Sequence, residues 1–116
     1  MERNSHYKKL IFSFRILEVN SSELDEFNDY FKQTYGYRHK KKKDSDKFTI
    51  VLELNEKTDY APLAEYILKH QGLNGRCGIY ISLVTELDSD GLSVPDFVLS
   101  LLINIKGTLD FSFTTI

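Results

Sequence analysis

The stretch YGYRHKKKKDSDK, Tyr35 to Lys47, places Arg38, Lys40, Lys41, Lys42 and Lys43 within six positions. Cations at this density can contact phosphates and give an affinity that falls with salt. Just upstream, Glu18, Glu23, Asp25, Glu26 and Asp29 form an acidic block, so the region is strongly bipolar. Carboxylates so gathered suit the opposite partner, a cationic protein surface, because they speed encounter and fix orientation. Glu86, Asp88 and Asp90, in ELDSDG, make a second acidic group and resemble the front of a calcium-binding EF-hand loop. The twelfth position of such a loop, which requires a bidentate carboxylate, is Phe97, so a plain turn is expected.

Other reactive side chains are scattered. His6, His39 and His70 have no spacing that sets two on one face as metal ligands, and each reads as a surface residue. Cys77 shares the parity of Ile79 and Ile81, which makes it a small buried hydrophobe rather than a nucleophile. Glycine-rich phosphate cradles, serine nucleophile elbows and paired zinc cysteines are absent from the sequence. The expectation is a binding protein without catalytic residues, metal or cofactor.

Each acidic and basic group must be held by an element, and the hydropathy pattern names most of them. LIFSFRIL sets Leu10, Phe12, Phe14 and Ile16 on one side and Ser13 and Arg15 on the other, the period of two of a half-buried strand. Asn20, Ser21 and Ser22 then offer capping oxygens to a helix over ELDEFNDYFKQTYG, whose Leu24, Phe27, Phe31 and Tyr35 form an apolar stripe and whose stop is Gly36. Carboxylates in the first turns of that helix also complement its macrodipole, which accounts for them without a partner. KFTIVLEL is a second strand, and Tyr37–Lys42 can pair with it through a turn at Asp44-Ser45-Asp46. Lysines on such an edge would discourage pairing with another molecule.

DYAPLAEYILKHQG reads as a helix capped by Asp59 and ended by Gly72, CGIYISLVTEL as a strand, and VPDFVLSLLINIKG as the most apolar helix. Ser93 with Asp96 would cap that last helix, and Gly107 would close it. LDFSFT, with Leu109, Phe111 and Phe113 alternating, is the final strand. The order is β-α-β-β-α-β-α-β if the lysine hairpin forms and one strand fewer if it does not. The longer reading is α+β: a ferredoxin-like β-α-β-β-α-β core with an added α-β, its largely antiparallel sheet covered by helices on one face.

The whole chain, 1–116, is expected to be a single domain. Its formal charge of −2 provides no overall positive field for polyanions. The single cysteine cannot form an internal disulfide and suits a reducing compartment. MERNSHYKKL lacks the apolar segment of a signal peptide, and Leu92–Ile105 falls short of the ~20 residues of a membrane span, so a soluble, cytoplasmic protein is expected.

The second half, from LAEYILKH through GIYISLVTELDSDGLSVPDFVLSLLINIKGTLDFSF, resembles small bacterial α/β domains in which a helix, a strand, a loop, a GLSVP-like helix start and an LDFSF-like strand follow in this order. Immunity proteins of contact-dependent growth inhibition and related polymorphic toxin systems are similar in architecture and size. The resemblance implies a cytosolic protein that binds one cognate toxin, usually a nuclease, and covers its active or substrate-binding surface. The contact residues come from charge rather than from the resemblance: Glu23, Asp25, Glu26 and Asp29 on the first helix, and Glu86, Asp88 and Asp90 in the loop. The alternative is a nucleic-acid-binding module using Arg38, Lys40, Lys41, Lys42 and Lys43, for which a stacking platform of exposed aromatics is missing from the pattern.

Overall fold

The computed structural model describes residues 8–86 and 93–115. The elements are β1 (Lys8–Val19), α1 (Ser21–Phe31), β2 (Arg38–Lys41), β3 (Phe48–Glu53), α2 (Ala61–Lys69), a one-turn α3 (Gln71–Asn74), β4 (Cys77–Thr85), α4 (Asp96–Ile105) and β5 (Thr108–Thr115). The lysine hairpin forms: β2 pairs antiparallel with β3, and the Lys42 amide donates to the Lys47 carbonyl across the turn. The fold is α+β, with five strands among the described residues in the order β2-β3-β1-β4-β5.

β1 is the central strand and lies antiparallel to both β3 and β4. β5 is parallel to β4, so the sheet is mixed, which departs from the antiparallel expectation at this strand. The crossover through α4 dictates that direction, because a helix between two neighbouring strands returns the chain to its starting end. The ferredoxin-like pattern does not describe the sheet as a whole.

Alternation fixes what each face carries. Phe14, Ile16, Ile50, Leu52, Ile79 and Ile81 are buried in one apolar cluster with Leu24 and Phe27 of α1, Leu63 and Ile67 of α2, and Val98 and Leu101 of α4. Within it the Phe27 ring meets Tyr66 edge-on at 5.7 Å between centroids and Tyr37 at 5.0 Å. The opposite sheet face carries Arg15, Arg38, Glu53, Tyr80, Ser82 and Ser112, which border a shallow open hollow.

Several boundaries differ from the sequence reading. α1 stops at Phe31 instead of reaching Gly36, although the Tyr35 amide still donates to the Phe31 carbonyl. α2 ends at Lys69, and Gly72 lies inside α3 rather than ending a helix. Ser93 does not cap α4: Pro95 stands at its N-cap without a side-chain bond. The left-handed residue that closes α4 is Lys106, at φ 53°. Gly107 answers a different need, since a Cβ there would fall 2.8 Å from the Cys77 carbonyl oxygen.

β5 departs furthest from expectation. Its register sets Leu109, Phe111 and Phe113 beside Ile79, Ile81 and Leu83, on the helix-covered face. Yet all three are exposed, at 48%, 54% and 38%, whereas Ile79 and Leu83 are fully buried. Alternation identified the face correctly, but the helical layer reaches only as far as β4. Gly78 allows the strand to dock, because a Cβ there would come 2.5 Å from Thr108 Oγ1.

Candidate functional site

The acidic block is sorted by the first turn of α1. Asn20 Oδ1 accepts from the Glu23 amide and Glu23 Oε1 accepts from the Asn20 amide, a complete capping box. The same Glu23 carboxylate takes two bonds from Arg76, at 2.6 and 3.1 Å. Arg76 also donates to the carbonyls of Gly72 and Glu18. Glu18 sits in the left-handed region at φ 54°, where the β1–β3 register shifts between Ile16 and Val19, and this bulge turns its carbonyl to the guanidinium. The Arg76 hydrogen bonds hold the Glu23 carboxyl below the usual carboxylate range, outweighing partial burial. Glu23 is therefore a structural clasp joining α1, the β1 bulge and α3.

Glu26 is also engaged: its Oε2 lies 3.0 Å from His70 Nε2, and the Tyr66 carbonyl lies 2.8 Å from His70 Nδ1, so the protonated ring donates to both. With both ring nitrogens facing acceptors, and the ring stacked on Tyr66, the His70 pKa is raised, chiefly by the Tyr66 carbonyl and then by Glu26. His70 is thus a tethered, half-buried group rather than a free surface side chain.

Asp25 and Asp29 remain. They lie one turn apart on the exposed face of α1 and make no ion pair among the described residues. With Asn28, Lys32, Tyr37 and His39 they line a groove of about 650 Å³ between α1 and the start of β2, where the two carboxylates outnumber the single lysine. The Tyr37 hydroxyl donates to Asn28 Oδ1 and fixes the groove floor. Glu86 is exposed but remote: it follows Thr85, which pairs with Lys8 at one end of β1, whereas α1 starts beyond Val19 at the other. The nine residues of β4 run from Cys77 to Thr85, about 26 Å at strand rise, so Glu86 does not join the α1 group. Asp88 and Asp90 lie outside the described residues, as do His6 and most of the ELDSDG loop.

The basic stretch does not act as one grip. Period-two alternation sends Arg38 and Lys40 to the open sheet face and His39 and Lys41 to the helical face. Lys42 pairs with Glu18 at 3.3 Å, and Lys43 is exposed in the turn. On the open face Arg38 shares a row with Arg15, each opposite Val51. The Arg15 guanidinium lies 3.9 Å over the Tyr80 ring, and its Nε is buried without a hydrogen-bond partner. The hollow around them measures about 400 Å³. Arg15 escaped notice in the sequence because it reads as the polar position of LIFSFRIL; only cross-strand register unites it with Arg38 and Tyr80.

Cys77 lies in the core, its Sγ donating to the Leu73 carbonyl, and burial pushes its thiol up to about 12. Among the described residues no three metal-binding side chains cluster, and no helix is long and apolar enough to cross a membrane. Comparison with known protein families, curated proteins and solved structures finds no match to this chain.

Proposed function

We propose that this protein is a recognition domain that binds a protein partner through the α1 groove. In keeping with the resemblance of its second half, we take the partner to be a toxin, a nuclease-type domain with a cationic substrate surface. The protein neutralises it by occlusion in the cytoplasm, without chemistry of its own. The observation that carries this reading is the unpaired Asp25–Asp29 rim over a preformed groove, with Tyr37 and His39 beside it as amphipathic contacts. The β2-β3-β1-β4 part of the sheet is read as the split βαβ core, with β5 appended.

The test is the product of any toxin-like reading frame next to the gene. That product should co-purify with the chain, and Asp25→Lys with Asp29→Lys should slow association roughly tenfold or more at low salt. A product that neither binds nor is neutralised by the wild-type chain refutes the reading. The second reading, nucleic-acid binding, is favoured by the row of Arg38 and Arg15 beside Tyr80 on the open face. It requires a labelled single strand to bind with a steep salt dependence that flattens in Arg38→Gln/Lys40→Gln.

A further inference from the structure

The two edges of the sheet are defended differently. β2 is short and carries Arg38, Lys40 and Lys41, the charges that repel a second strand. β5 has eight residues, a single charge at Asp110, and no neighbouring strand on its outer side among the described residues. Along it, Leu109, Phe111 and Phe113 form an exposed apolar row on the helical face. α4, which leads into β5, carries two further exposed apolar side chains, Leu99 at 39% and Ile103 at 72%. A long, apolar edge with a single charge is an adhesive surface in water.

We propose that this edge is a homodimer interface in which β5 of one copy pairs antiparallel with β5 of a second, joining both sheets into one. The strand's pattern is self-complementary. With the two-fold axis passing at Phe111, Phe111 meets Phe111 of the second copy, Leu109 meets its Phe113, and on the other face Asp110 meets its Ser112, so no like charges oppose. An axis perpendicular to the sheet keeps both helical layers on the same side. The two aromatic rows, which the single chain leaves bare, then pack against each other across the seam, with α4 of each copy flanking it.

The area is sufficient. The five side chains leave roughly 450 Å² of apolar surface per chain, taking about 200 Å² for a whole Phe. With all five side chains fully covered, a symmetric pair removes at most roughly 900 Å² of apolar surface, and the strand edges bring this to about 1,000 Å², the floor for a biological interface. The β2 edge and the α1 groove lie at the far side of each sheet, so the dimer leaves the proposed binding groove open.

Sedimentation equilibrium of the full chain from about 1 to 200 μM tests this, together with concentration-dependent amide exchange. The wild type is expected to dimerise, with exchange at β5 slowing as concentration rises while β2 is unaffected. Phe111→Lys, which places two lysines face to face at the axis, is expected to weaken dimerisation at least tenfold. Its side chain is half-exposed in the monomer, so far-UV circular dichroism should remain that of the wild type; Leu109→Lys provides a second probe on the same row. A wild type that stays monomeric throughout, a Phe111→Lys dimer as tight as the wild type, or protection appearing at β2 instead of β5 overturns the proposal.

Discussion

Replacing Arg76 by Met tests the clasp at the start of α1, because Met keeps an apolar stem but donates no hydrogen bond. The change removes two bonds to Glu23 and one each to the carbonyls of Glu18 and Gly72. Breaking a buried ion pair costs about 3–5 kcal/mol, whereas an exposed pair contributes about 0–1 kcal/mol. Arg76 and Glu23 retain 26% and 28% exposure, so water can reach the orphaned groups and the cost should lie between these limits, at about 2 kcal/mol. For a chain of this size that lowers Tm by about 8 °C. Urea unfolding should show a lower midpoint with an unchanged slope. The pH dependence gives a second signature. The folded Glu23 pKa lies below 4.5, so its contribution is present above 4.5 and is lost as pH falls through the depressed folded value. The gap between wild type and Arg76→Met should therefore be widest near neutrality and narrow in acid. A difference under about 0.5 kcal/mol, or one that does not narrow in acid, refutes the assignment of this cluster as a clasp.

His70 should titrate above 6.5 by NMR, and Glu26→Gln should move it down. Because the folded value is raised, its stabilising effect is full below 6.5 and fades as pH rises through the folded value; a His70 pKa at or below 6.5 contradicts the two-acceptor geometry. Cys77 should resist thiol reagents at pH 8 in the native state and react fully in denaturant, since only unfolding frees it from the core; fast native labelling would show that the site opens.

The strands were legible because alternation is a local signal: Phe12, Phe14 and Ile16 declare a face without reference to any other element. The lysine hairpin stood as one of two alternatives in the sequence, and the structure decides for it through the turn residues Asp44-Ser45-Asp46, with Asp44 at φ 59° and Ser45 Oγ accepting from the Lys47 amide. Coverage was not legible. LDFSFT alternates like a buried strand, yet burial depends on where the helical layer ends.

The engagement of the candidate residues was legible only in part, for a similar reason. Asp25 and Asp29 share a face by helical spacing, which sequence reveals. Glu23 belongs to Arg76, a residue of another element, and only the N-x-x-E spacing from Asn20 hinted that its carboxylate was engaged. Arg15 and Tyr80 meet across a register that neither segment specifies alone.

The central position of β1 has a consequence for how the chain is made. Its pairings with β4, from Ile16–Cys77 out to Lys8–Thr85, wait until the greater part of the polypeptide has been synthesised. At about 10 residues per second the first strand spends roughly six seconds on the ribosome without its principal neighbour. During that interval Phe12, Phe14 and Ile16 can be covered only from the α1 and β3 side, which leaves an apolar strand edge of the nascent chain open to a cellular chaperone.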